Sequence, residues 1–168
     1  GLGLAKLIKE KQISPLELVE DALEQIHTYN SEVNAVVRTR TEKALSEAKE
    51  FYALRAPFAG VPILLKDLSQ SIKGEPITAG TKLLKARIAK QDSNYVKKIR
   101  EAGFVIVGQT SSPEFGLKNI TEPTLYGPTR NPWNLQHSSG GSSGGASASI
   151  AAGMVPISGA SDGGGSIR

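Results

Sequence analysis

Residues 138–168 read SSGGSSGGASASIAAGMVPISGASDGGGSIR and hold nine of the chain's 18 glycines. Glycine loses more conformational freedom on folding than any other residue, so a folded chain concentrates it where backbone must approach something closely or take positive φ. Composition alone also describes a flexible Gly/Ser linker. Against that, Ala146–Ala152 and Met154–Ile157 lie between the clusters Gly140–Gly145 and Gly163–Ser166, and both runs can be buried. The segment is read as a short helix followed by an apolar strand, Met154–Ala160, placed between two backbone-lined turns.

Three chemistries use Gly-rich turns beside helices. A phosphate loop requires a lysine directly after the glycines and before Ser or Thr, and neither cluster has one. Gly141-Ser142-Ser143-Gly144-Gly145 matches the G-x-S-x-G nucleophile elbow, but an elbow needs a strand immediately before it and a histidine base. Asn134–Ser139 is polar, so the elbow stays a runner-up. The third chemistry is a histidine-free serine hydrolase. Asp162-Gly163-Gly164-Gly165-Ser166 puts a serine after consecutive glycines, whose N–H groups can line an oxyanion hole. One well-placed donor there contributes roughly 3–4 kcal/mol.

Such a serine needs a base, and with histidine scarce a desolvated lysine is the available candidate. Val61-Pro62-Ile63-Leu64-Leu65 runs straight into Lys66. A continuous apolar run of this kind suits a strand buried on both faces. A buried ammonium costs several kcal/mol unless it is partnered or neutral. The alternative is a lysine at the strand's exposed end, reaching to water.

The remaining segments supply the frame. Residues 3–12 form a short basic amphipathic stretch. Ser14-Pro15-Leu16-Glu17 is a capping box with proline at the first helical position, opening a helix to about Tyr29. Val19, Ala22, Leu23 and Ile26 make its apolar stripe, with Glu17, Glu20, Asp21 and Glu24 facing water. His27 near its end suits a dipole contact rather than catalysis. Val33–Arg38 is expected as a strand, Glu42–Ala56 as a helix and residues 70–91 as loop with a short helix. Asp92 or Ser93 caps a helix that Gly103 stops, and Phe104–Gly108 follows as a strand. Strand, helix, strand at this spacing is a parallel crossover. Pro113–Gly116 starts another helical turn, and Leu125–Gln136 is expected as loop.

Bulk properties exclude several classes. The chain has 168 residues, no cysteine, two histidines and a net charge of +4. Disulfides, cysteine nucleophiles and thiolate metal sites are thereby removed. The lysines and arginines are scattered, with no aromatic-interleaved basic patch, so neither nucleic acid nor a membrane is expected as partner. No run of 18 apolar residues and no secretory leader is recognised, which gives a cytoplasmic expectation. There is no internal repeat or clear linker. The sequence stops three residues into a Gly-rich turn, so it is read as the N-terminal piece of a longer protein.

Lys66 in GVPILLKD, GGSSGG at 140–145 and DGGGSIR at 162–168 resemble, in order and spacing, the amidase signature family of Ser–Ser–Lys amide hydrolases. TAG at 78–80, PEFG at 113–116 and TRNPW at 129–133 resemble further landmarks of that family. Two positions depart from its pattern. Gly163 stands where many members have Thr or Ile, and Ser139 where proline often precedes the first cluster.

The resemblance implies an α/β fold: a mixed, largely parallel sheet flanked by helices, incomplete because the chain is read as truncated. Residues 1–168 would be the N-terminal portion of one amidase domain, with a helical segment over 1–56 and the catalytic core from 60 onward. It further implies Ser166 as nucleophile, Ser142 as the bridging serine with a cis peptide bond, and Lys66 as base. The backbone N–H groups of Gly163, Gly164, Gly165 and Ser166 would form the oxyanion hole, with Ser143 supporting the lysine. Asp162 and Arg168 would brace the turn. The implied reaction is hydrolysis of non-peptide, linear amides through an acyl-enzyme, without metal or organic cofactor. The partners would be a small-molecule amide and the rest of the same polypeptide, with a homo-oligomer left open. The glutaminase component of a tRNA-dependent amidotransferase and an inactive fragment or binding module of the same fold are the alternatives.

Overall fold

The computed structural model describes residues 1–50 and 56–168. Helix α1 spans Leu2–Lys9 and helix α2 spans Pro15–Val33. The capping box at Ser14 forms as the sequence requires, with Ser14 Oγ accepting the Glu17 N–H and the Glu17 carboxylate accepting the Ser14 N–H. The helix runs four residues beyond the expected Tyr29. Asn34 ends it in the left-handed conformation (φ 54°). Asn30 then accepts the N–H groups of Ala35 and Val36, turning the chain directly into strand β1, Val36–Thr39. Helix α3 covers Thr41–Lys49. The second half of the helix expected to Ala56 lies largely outside the described residues.

The crossover expected from spacing is present. Strand β2 is Pro62–Lys66, helix α4 is Asn94–Glu101 with Ser93 as its cap, and strand β3 is Val105–Thr110. β2 and β3 pair in parallel while β1 pairs with β3 antiparallel, giving a mixed sheet in the order β1-β3-β2. Every residue of β2 and β3 is buried. Alternation divides their side chains between two cores. Leu64, Val105 and Val107 pack with Val19, Ala22, Ile26 and Ala148, whereas Ile63, Leu65 and Ile106 pack with Ile8, Leu18, Ile72 and Val96. A fully buried aliphatic side chain contributes about 1.5–3 kcal/mol, so this doubly covered sheet is the stable frame.

Two expectations are corrected. Arg130–Asn131 (β4) and Asn134–Ser138 (β5) form an antiparallel hairpin where loop was expected. Asn131 Oδ1 accepts the Trp133 N–H and shapes its turn. β5 is exposed along its whole length, so no one-sided apolar pattern announced it. Conversely, Met154–Ala160 forms no regular strand. It meets β2 through a single parallel bridge, Leu64 to Ser158, with Gly159 N–H donated to Leu64 O at 2.7 Å. The next rung of this register toward Met154 would need an N–H from Pro62 in β2, which proline lacks. The last helix, α5, is Gly144–Ala151 and starts two residues before the expected run. Among the described residues, no helix is long and apolar enough to cross a membrane.

Candidate active site

Strand alternation puts Leu64 and Lys66 on the same face of the sheet, the one on which α5 packs. The start of α5 approaches the sheet closely. A Cβ on Gly145 would lie 2.5 Å from both the N and the O of Ser111. Glycine at 145 thus lets the turn before α5 settle over the end of β3, beside Lys66.

Lys66 does not reach to water. Its relative exposure is 0 %, so the buried reading of this residue holds. Nζ lies 2.9 Å from Ser142 Oγ and 3.0 Å from Ser143 Oγ. Burial pushes its pKa down from 10.5 to about 8, toward a neutral amine. The adjacent Asp67, also fully buried, is paired with Arg38 at 2.7 Å and takes the Thr78 backbone N–H at 2.9 Å and the Thr78 hydroxyl. This is the work of the TAG landmark.

Ser142 Oγ is 3.3 Å from Ser166 Oγ. Lys66, Ser142 and Ser166 therefore form one chain of contacts. The peptide bond entering Ser142 is cis. Among the described residues, the Ser142 hydroxyl contacts only Lys66 and Ser166. Ser143 is more heavily engaged: its hydroxyl donates to Ser161 O at 3.2 Å, and its backbone N–H reaches Ser166 Oγ at 2.7 Å.

The turn carrying Ser166 is organised by Asp162. Its carboxylate accepts the backbone N–H groups of Gly165, Ile167 and Arg168 and the Arg168 guanidinium, whose contacts are 2.9 and 2.8 Å. The Arg168 partner and these N–H donors hold its pKa far below the usual carboxylate range. Asp162 and Arg168 are thus in direct contact within the turn. One expectation changes: the Gly165 N–H is donated to Asp162 Oδ1 at 2.7 Å, so it does not point into an oxyanion hole. Gly165 has φ 109°, which explains glycine there. The N–H groups of Gly163, Gly164 and Ser166 have no hydrogen-bond partner among the described residues.

Ser142, Gly164 and Ser166 open onto a cavity of about 440 Å³, walled by Gly116, Ile120 and Gly141 among others. The PEFG landmark thus forms part of the wall, with a short 3-10 turn at Glu114–Gly116. His27 and His137 are exposed, and Asn134–Ser138 before the first cluster is an exposed hairpin strand rather than a buried central one, so the nucleophile elbow gains no support. Among the described residues no cluster of three or more His, Asp or Glu side chains is placed to hold a metal ion. Two residues near the lysine were not singled out from the sequence. Ser161 Oγ lies 3.0 Å from Lys66 Nζ, and Gln70 accepts the Lys66 backbone N–H at 2.7 Å.

The family model described as Amidase matches residues 17–168. The chain belongs to the amidase signature family. Among curated relatives, it is 52% identical to a lipoamidase of Enterococcus faecalis over 168 residues, covering 100% of this chain and 23% of that protein. It is 42% identical to a 6-aminohexanoate-cyclic-dimer hydrolase of Paenarthrobacter ureafaciens, covering 98% and 33% respectively. A glutamyl-tRNA(Gln) amidotransferase component of Paenarthrobacter aurescens is 39% identical, with the same two coverages. Among solved structures, a bacterial aryl acylamidase of the amidase signature family superposes with a TM-score of 0.92 at 41% identity, covering 98% of this chain and 35% of that one. The chain thus spans about a quarter to a third of the length of these relatives.

Proposed function

We propose that this chain carries the nucleophile, relay and base of an amidase that hydrolyses carbon–nitrogen bonds of small amides, as one part of a larger amidase domain. The observation that carries the reading is the contact chain from buried Lys66 through Ser142 to Ser166, at 2.9 and 3.3 Å. Neutral Lys66 takes the Ser142 hydroxyl proton while Ser142 takes that of Ser166, and Ser166 Oγ attacks the amide carbonyl. The N–H groups of Gly163, Gly164 and Ser166 stabilise the oxyanion. Collapse of the tetrahedral intermediate breaks the C–N bond, and the proton returns from Lys66 through Ser142 to the leaving nitrogen. Water, deprotonated by the same relay, then cleaves the acyl ester and restores Ser166.

Ser142 rather than Ser143 is the relay because a relay must release its hydrogen. The Ser142 hydroxyl has only Lys66 and Ser166 as partners among the described residues, whereas the Ser143 hydrogen is engaged by Ser161 O. Residues 1–56 and the core from 60 onward are assigned to the N-terminal portion of that domain. The 39% identity to an amidotransferase component supports a second reading, glutamine as the amide with tRNA-linked machinery as partner.

The test is labelling of the full-length polypeptide with a fluorophosphonate, with Ser166→Ala as control. Labelling lost in the variant supports the reading. Equal labelling removes Ser166 as nucleophile, and no labelling of either favours the inactive-module alternative. Turnover of glutamine against lipoyl and aryl amides then separates the two enzyme readings.

A further inference from the structure

Lys66 Nζ has three hydroxyl neighbours, and the proposed relay uses one. Ser142, Ser143 and Ser161 lie 2.9, 3.0 and 3.0 Å away. A neutral amine has two N–H donors and one lone pair, and an ammonium has three donors. If the lone pair takes the Ser142 proton, the two N–H bonds need two other acceptors. Ser143 and Ser161 are those two. After transfer, Ser142 holds the hydrogen received from Ser166, and its oxygen accepts from Lys66. Three oxygens then face three N–H bonds.

Ser161 is held in place from both sides. Gly159 N–H is donated to Leu64 O at 2.7 Å, and Gln70 links the Lys66 N–H to Ala160 O at 2.7 and 3.2 Å. Ser161 N–H is donated to Ser143 Oγ at 3.3 Å. Among the described residues the Ser161 hydroxyl has Lys66 as its sole partner.

We propose that Ser161 is a positioning residue for the reaction inferred above: it aims the Lys66 lone pair at Ser142 and completes the acceptor set for the ammonium that forms on proton transfer. This rests on the reading of Lys66 as base. No charged side chain contacts Nζ among the described residues. Asp67 is engaged by Arg38 and Thr78, Asp162 by Arg168, and Lys118 lines the cavity onto which Ser142 and Ser166 open. Removing a hydroxyl acceptor therefore disfavours the charged amine with no nearby carboxylate to compensate.

The experiment follows the rate of Ser166 labelling by a fluorophosphonate in the full-length polypeptide, across about pH 5 to 10, so that no knowledge of the amide substrate is needed. Ser161→Ala is expected to slow the plateau rate about 10- to 100-fold and to move the acidic limb to lower pH by about one unit. Ser161→Thr, which keeps the hydroxyl, is expected to restore both. Ser161→Cys preserves shape with only a weak acceptor, and reads the same limb should the alanine variant not fold. A limb that stays in place with a rate within about twofold of wild type overturns the proposal, as does a folded threonine variant that fails to rescue. Failure of the underlying reading looks different: Lys66→Met would then label at the wild-type rate, or wild type would not label at all.

Discussion

Ser166 Oγ accepts the Ser143 backbone N–H at 2.7 Å and donates its own proton to Ser143 Oγ, also at 2.7 Å. In this resting pose Ser166 Oγ is held on Ser143, while its contact with Ser142 is longer, at 3.3 Å. Ser143→Ala keeps the backbone donor and removes a resting acceptor. Ser142→Ala cuts the proposed path by which the proton reaches Lys66. The expected order is a loss of about 10³-fold for Ser142→Ala and about tenfold for Ser143→Ala. Rates of Ser166 labelling check it, and equal losses would return the relay role to an open choice between the two serines.

The proposed relay needs a neutral Lys66, so labelling should rise with pH through about 8, the value to which burial lowers its pKa, and this limb should vanish in Lys66→Met. Stability responds with a definite sign. The folded-state pKa lies below the unfolded one, so between about pH 8 and pH 10.5 the unfolded chain binds more protons and stability rises with pH. Relative to wild type, Lys66→Met should therefore lose about 3 kcal/mol across that window. Denaturant unfolding at several pH values measures the gap, and a constant gap would contradict the burial argument.

Two glycines separate packing from chemistry. A methyl group on Gly145 would meet the Ser111 backbone at 2.5 Å and Ala35 O at 2.8 Å. Gly145→Ala should cost about 3 kcal/mol, because backbone atoms cannot yield as a side chain does. A Cβ on Gly164 meets nothing within 4 Å, yet Gly164 lines the cavity. Gly164→Ala should stay within about 0.5 kcal/mol of wild type in stability while binding amides more weakly. Thermal melting and KM values for one amide distinguish these outcomes.

Asp162→Ala should uncouple Ser166 from its turn. The variant loses the acceptor for three backbone N–H groups and for Arg168. Labelling is expected to fall about 100-fold while the melting curve moves little, because the turn is exposed. Since the carboxylate pKa is depressed, its contribution is complete above about pH 4 and is lost only as pH falls through the lower folded-state value. Between neutral and mildly acidic pH the Asp162 contacts therefore stay intact, and a rate change there does not come from Asp162.

Much of this was legible from residues alone. An aliphatic run marks a buried strand, but that run alone does not decide between a buried Lys66 and one at the exposed strand end; the structure buries it completely. The crossover between β2 and β3 follows from spacing, and the start of α2 from four residues at Ser14. The β4–β5 hairpin was not legible, because a strand exposed on both faces carries no alternation. Ser161 was hidden for another reason. It is one of nine serines between 138 and 168, and only the path of the backbone through Gly159 and Ala160 brings it to Lys66. Nor could the glycine pattern reveal that Gly165 donates to Asp162, since that depends on a side chain folding back over its own turn.

The contacts around Lys66 join positions 76, 77 and 95 residues apart in the chain. Loop-closure entropy must be overcome before any of them forms. A peptide covering 138–168 would hold both serine motifs and still be inert, because the amine arrives on a strand from elsewhere. In the proposed relay, reactivity at Ser166 is thus a tertiary property. A labelling reagent applied to cell extracts would count correctly folded molecules, not merely molecules bearing the motif.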